Sequence, residues 1–268
     1  MKLTPSHPTS QMKRPLELNL LENARSFLVE ALRKAVAAES AHDEWKFAVL
    51  HVVQAIELSL KELLRRQHPI LIHTNVDKPG HTVSLEQSLN RLKRLTSFEP
   101  SEDEKKAISL AAGLRNDIVH HEFKTDAVTL KPAFAHLFGF LVDFHRDHLE
   151  EPLDDHVPKD LWISGIKVRE YGEELFRRAK VRIAQEGLEG ECIACPKCGW
   201  RAVTAFGDHQ DTCYVCGHVA NLVVCKRCQR VMLWGEHEDY GDGEYCYDCV
   251  CYISDDYWHD SAKEGWPK

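Results

Sequence analysis

Ten cysteines are confined to positions 192–251 of a 268-residue chain, and nothing before Cys192 contains one. Eight of them form four Cys-x-x-Cys pairs: Cys195 and Cys198, Cys213 and Cys216, Cys225 and Cys228, Cys246 and Cys249. A two-residue gap lets both thiolates of a tight turn face one ion, and Gly199 and Gly217, directly after the first two pairs, relieve the backbone there. The amino terminus shows no apolar secretory segment, so a reducing setting is expected, in which clustered thiols hold metal rather than form disulfides. Two zinc ions follow. We pair the motifs in chain order, with Cys195, Cys198, Cys213 and Cys216 on one ion and Cys225, Cys228, Cys246 and Cys249 on the other. A cross-braced arrangement, in which alternate pairs share an ion, is the alternative. Cys192 and Cys251 are left over, and Cys192 could replace Cys195 in another register. Four sulfur ligands leave no open coordination position, so both ions are expected to be structural and to supply much of this segment's folding free energy.

The cysteine-rich segment resembles tandem zinc ribbons with short β-hairpins. The residues before it read differently. From Asn19, with Glu22 as a capping-box partner, apolar residues recur at helical spacing through Leu28 and Ala35. A second helix is predicted over 42–67, ended by Pro69. Ser84 with Gln87, and Ser101 with Glu104, mark two further helix starts, and Pro132 marks a fifth. No alternating strand pattern precedes residue 190. The expectation is an α+β multidomain chain: a loose arm over 1–17, an all-α bundle over 18–150, a hinge and one connecting helix over 151–190, and a tandem zinc module over 191–268. No run of about 18 apolar residues reads as a membrane span, and a cytoplasmic protein is expected.

The net charge is −8, which excludes a polyanion binder held by bulk electrostatics. From Glu191 onward seven Lys and Arg face thirteen Asp and Glu. That acidity points the zinc module toward a protein partner or a scaffolding role and away from a DNA-binding factor. Basic clusters such as Arg65-Arg66, Arg91-Lys93-Arg94 and Arg177-Arg178-Lys180-Arg182 read chiefly as solvated helix faces.

Within the bundle, "GLRNDIVHHEFK" (113–124) places an arginine, an amide and two imidazoles on a helix otherwise rich in Ala, Ile and Leu. At about 100° per residue, with Arg115 at zero, Leu114, Ile118, Ala107 and Ala111 cluster at about 260–320° and are expected to be buried. Asn116 and His120 then share the opposite side one turn apart, Arg115 flanks them, and His121 leans toward Asp117. His145 and His148, in "DFHRDH", read as a solvated helix end. Glu57, with Lys61 one turn on, reads equally as a surface ion pair.

The stretch "RNDIVH" (115–120) resembles the Arg-x4-His motif of HEPN ribonucleases, and "HVVQAIELSLKELLRRQHP" (51–69) resembles that family's preceding helix. The resemblance covers about residues 18–150. It implies a metal-independent endoribonuclease whose site forms across a homodimer, with RNA as substrate and roles in toxicity, phage defence or RNA processing. Arg115 would hold the phosphate, Asn116 orient, and His120 act as acid or base. Glu57 matches the acidic residue that some members carry on the second helix. HEPN domains without cleavage activity also exist, which leaves a non-catalytic dimer that binds RNA or nucleotide phosphates, with the zinc module as a protein adaptor, as the alternative.

Overall fold

A computed structural model describes residues 17–120, 126–188, 190, 192–204, 210–240 and 243–254. Positions 1–16 of the expected arm, and His121, lie outside them. Helix α1 (Leu20–Ala37) starts where the capping signal places it. Asn19 Oδ1 accepts from the Glu22 amide and Glu22 Oε2 from the Asn19 amide, both at 2.9 Å. Its stripe of Leu21, Ala24, Leu28, Ala31, Leu32 and Ala35 packs on α2 (Glu44–Gln67) as a helical hairpin. Ser84 and Gln87 cap α3 (Leu85–Leu95) reciprocally, and Ser101 and Glu104 do the same for α4 (Glu102–His120).

Helix α5 (Ala127–His148) begins five residues before Pro132, the position expected to open it; Asp126 caps it by accepting from the Thr129 amide at 2.8 Å. Pro132 is tolerated because it removes only one hydrogen bond near the helix start, where exposed residues such as Val128 leave the freed carbonyl to water. Among the described residues α5 alone is long and apolar enough to cross a membrane by composition, and its apolar side chains are instead the middle of the bundle. Trp45, Phe134 and Tyr171 meet there, with ring centroids 5.2–6.2 Å apart.

The acidic segment read as a hinge is packed. Leu153 and Val157 are buried, and a single helical turn covers Leu153–Asp155. The one connecting helix expected after it is two, α6 (Lys159–Lys167) and α7 (Arg169–Gln185), broken at an extended Val168. The break accommodates close approaches on both sides: a side chain at Gly165 would strike Leu32, and one at Gly172 would strike Trp200.

Beyond α7 the chain forms short antiparallel pairs: β1 (Ile193–Ala194) with β2 (Arg201–Val203), β3 (Gln210–Thr212) with β4 (Val219–Val224), β4 with β5 (Val231–Leu233), and β6 (His237–Tyr240) with β7 (Gly243–Cys246). A helix over 247–254 follows. The main core runs without interruption from α1 into β2 and β4, taking in Cys195, Cys213 and Cys216. A separate small cluster holds Val223, Cys225, Met232, Cys246 and Cys249.

Arg178, buried on α7, ties three helices. Its guanidinium donates to Asp143 on α5 at 2.6 Å, to Glu174 on its own helix at 2.8 Å and to Glu104 on α4 at 3.3 Å. A side chain on Gly139 would lie 2.5 Å from its Nε, so glycine there makes the room. Although burial opposes it, hydrogen bonds from Arg177 and His136 and the charge of Arg178 hold the Glu174 carboxyl well below the usual carboxylate range. Truncation at Arg178 removes charge-assisted hydrogen bonds to three half-buried carboxylates, so Arg178→Met should destabilise the protein by about 1.5–3 kcal/mol, and Gly139→Ala by about 1–3 kcal/mol through overpacking. Urea unfolding followed by far-UV circular dichroism reads both, and a midpoint unchanged in Arg178→Met contradicts the role assigned to this network.

Candidate active cleft and metal centres

Helix α4 crosses α2 over Ile108, which is 2% exposed. Its packed side includes the expected one and extends past it: Ala107, Leu114 and Ile118 are half-buried against the core, while at about 100° per residue the buried Ile108 lies close to Arg115. On that side α2 supplies Val53, which lines the same cleft as Ile108. Arg115 consequently leans across the interhelical cleft, and one guanidinium nitrogen lies 3.7 Å from Glu57 Oε2. Asn116 is exposed beside it. His120 ends α4 one turn further on, and its side chain lies outside the described residues.

The cleft has a volume of about 660 Å³, and Glu57, Lys61, Thr82, Arg115 and Asn116 all line it. Glu57 bridges two cations, since its Oε1 accepts from Lys61 Nζ at 2.8 Å. Lys61 is 6% exposed and donates again to Thr82 Oγ1 at 2.9 Å. Thr82 reaches the cleft because the connection after α2 folds back on itself through a bridge between His73 and Thr82. Arg91 clasps that connection by donating to the carbonyls of Leu71 and His73. The sequence offers the Glu57–Lys61 spacing as a signal. It offers none for Thr82, whose position depends on the path of a loop.

Other expected features fall elsewhere. Arg65 and Arg66 pair with Glu62, Arg66 also reaches the Leu149 carbonyl, and Arg177 pairs with Glu174. Those arginines are committed to the fold. His145, expected in solvent, is 1% exposed, with its Nε2 2.9 Å from Ser59 Oγ. Burial, then the charges of Arg25 and His156, push its pKa down to about 3, so the ring is neutral.

The cysteine pairs assemble in chain order, into one group of Cys195, Cys198, Cys213 and Cys216 and another of Cys225, Cys228, Cys246 and Cys249, with all ligand sulfurs in each within 4.8 Å of one another. None of the described cysteines is in a disulfide, and Cys192 and Cys251 stand outside both groups. Measured Sγ–Sγ separations are 3.6, 3.7 and 3.8 Å. A tetrahedron with metal–sulfur bonds of about 2.3 Å has edges of about 3.8 Å, so both groups fit a metal ion. Hydrogen bonds from Cys213 and Cys216 draw the Cys198 thiol below the usual range.

Three of the four pairs share one backbone turn. Gly199, Gly217 and Gln229 each donate an amide to the carbonyl of the first cysteine of the pair, at 2.9 Å, and each has positive φ. The first two turns use glycine for that conformation; the third places Gln229 there at φ 60°. The fourth pair differs, since Cys249 lies on the terminal helix.

The two centres are anchored unequally. The first is held to the helices by a Trp162 Nε1 donation to the Cys216 carbonyl at 3.2 Å and by Phe176 stacked on Trp200 at 5.0 Å. The second has its own small apolar cluster and touches the main core through Val231 and Leu233 of β5, which are only half-buried. Searches against protein-family models, curated proteins and solved structures give no match. Cys213→Ser and Cys246→Ser should each remove one equivalent of bound metal. The first should also lower the cooperative helical melting transition, while the second leaves it in place. Metal analysis with far-UV circular dichroism checks this, and equal loss of helical stability in both contradicts the unequal anchoring.

Proposed function

We propose that this chain is a HEPN-type, metal-independent endoribonuclease acting as a homodimer, with a structural zinc ion in each four-thiolate group. The observation that carries the reading is the convergence of Arg115 and Asn116 with Glu57 on one open cleft between α2 and α4. Their residue types suit transesterification of RNA. A base removes the 2′-hydroxyl proton, the oxygen attacks the adjacent phosphorus, and an acid protonates the departing 5′-oxygen to leave a 2′,3′-cyclic phosphate. Imidazole serves either step because its ordinary pKa lies near neutrality, and His120 from each copy would supply one of the two. Arg115 is suited to the phosphoryl oxygens by its forked donors. Glu57 restrains that guanidinium, and Val119, exposed next to His120, gives a second copy apolar surface to cover. A reducing cytoplasm agrees with eight thiols gathered for metal.

Purified protein should cleave single-stranded RNA in mild chelator and leave DNA intact, because DNA lacks the attacking hydroxyl. Arg115→Ala and His120→Ala should each lose activity by at least about 100-fold without change in melting temperature. Full activity in His120→Ala rejects the mechanism, and RNA binding without any cleavage leaves the non-catalytic dimer.

The acidity of the cysteine-rich segment does not preclude RNA contact. Only Glu191, Asp208 and Asp211 of its thirteen acids precede residue 221. A groove of about 730 Å³ where α6 meets the first metal centre is lined by Lys159, Lys167, Lys197 and His218, with Asp160 as its one acid. For single strands each phosphate contact contributes about 0.7 to the slope of log K against log salt. The double variant Lys167→Ala/Lys197→Ala should therefore reduce that slope by about 1.4 in fluorescence-anisotropy titrations. An unchanged slope removes this groove from the RNA path.

A further inference from the structure

The cleft between α2 and α4 holds one carboxylate between two cations, and the two contacts differ in kind. Glu57 Oε1 accepts from Lys61 Nζ at 2.8 Å. Glu57 Oε2 lies 3.7 Å from the nearest Arg115 guanidinium nitrogen, beyond hydrogen-bonding distance. The Lys61 contact is also the more sheltered, with side-chain exposures of 7% for Lys61 and 13% for Glu57 against 41% for Arg115. Among the described residues Arg115 makes no hydrogen bond, and Glu57 is its one ion-pair partner.

These differences decide which cation Glu57 neutralises. An ion pair strengthens as water is excluded and as the separation falls, so Lys61 is the principal counter-ion of Glu57. Lys61 is itself held in place, since Thr82 Oγ1 accepts a second of its N–H groups at 2.9 Å. Two cations and one carboxylate leave a net charge of +1 in this trio. That surplus resides on Arg115, which lines the open cleft and carries a planar fork of N–H donors. Glu86, the other carboxylate of the lining, is exposed on α3 and makes no ion pair among the described residues. Without Lys61, the cation left to Glu57 in the cleft is Arg115. The carboxylate would then close a forked pair on that guanidinium and occupy its donors.

We propose that Lys61 is a positioning residue: by taking the charge of Glu57 it keeps the Arg115 fork free for a phosphodiester of single-stranded RNA. Thr82, brought to the cleft by the folded-back connection after α2, anchors Lys61 in that task. The ligand named here rests on the ribonuclease reading, whereas the charge balance concerns only how the phosphate is held and no proton transfer.

The test is fluorescence anisotropy of the intact, metal-loaded chain across a salt series, with a 2′-O-methylated single-stranded oligonucleotide as probe, in which the attacking hydroxyl is blocked. Lys61→Met, checked for two metal equivalents and unchanged circular dichroism, should bind roughly tenfold more weakly. Its slope of log K against log salt should be smaller by about 0.7, the contribution of one phosphate contact. Adding Glu57→Gln to Lys61→Met should restore the parent slope, because an uncharged amide no longer captures Arg115. Should Lys61→Met not fold, Lys61→Gln, which keeps an N–H donor toward Glu57 without the charge, takes its place and should show the same smaller slope. An unchanged slope in the single variant overturns the proposal. A slope that stays low in the double variant also overturns it and makes Lys61 a phosphate ligand itself, and so does a parent chain that does not bind the probe. Cleavage of unmodified RNA is scored separately: a parent that binds the probe without cleaving rejects the ribonuclease reading and leaves the role of Lys61 standing.

Discussion

The guanidinium of Arg178 is the junction on which this architecture depends. It comes from the helix that carries the first metal-binding ribbon, and it reaches Asp143 in the central helix and Glu104 at the start of the helix bearing Arg115. A buried cation in this setting is tolerable only because carboxylates surround it, and Arg146, Arg177 and His136 share those carboxylates at the rim. The consequence is mechanical: α4, α5 and α7 hold their relative positions together. One wall of the α2–α4 cleft and both helices, α5 and α7, of the seam beneath the first ribbon are joined at this point.

The same logic explains why the two metal centres are not equivalent. Both satisfy one local rule, a turn that presents two sulfurs to an ion. The first also buries Cys195, Cys213 and Cys216 in the main core, and Trp162, Phe176 and Arg182 hold it from the helical side. It is part of the bundle as much as of the cysteine-rich segment. The second keeps its own small apolar cluster. The composition change near residue 191 marks a change in local construction, whereas the main core continues past it through the first ribbon and a separate small cluster forms around the second.

In the cleft, electrostatics at short range sets the chemistry on offer. Glu57 stands between Lys61 and Arg115, so one carboxylate orients two cations at the mouth of the cleft. The Glu57–Lys61 contact was legible from four-residue spacing on one helix face. The Arg115 contact was not, because it depends on how α4 is seated against α2, where the packed side extends past Leu114 and Ile118 to Ile108. His145 misled for a related reason. Its neighbours Arg146, Asp147 and His148 are polar and look solvated, but the facing surface of α2 supplies Ser59 and closes over it.

By itself the chain sequence determined what local interactions decide. Helix starts at Asn19, Ser84 and Ser101 follow from reciprocal side-chain caps, and the four Cys-x-x-Cys pairs follow from turns that span four residues, although which pairs share an ion does not. These depend on atoms a few residues apart, so no distant contact can easily overrule them. Tertiary structure alone decided the break at Val168, how far the packed face of α4 extends, and the seating of the first ribbon on α6 and α7. Each of those turns on close approach between segments far apart in the chain, as where Gly165 meets Leu32 and Gly172 meets Trp200. Residue type and spacing carry no record of which surfaces will meet; burial of apolar area and pairing of charge settle that only when the whole chain is packed.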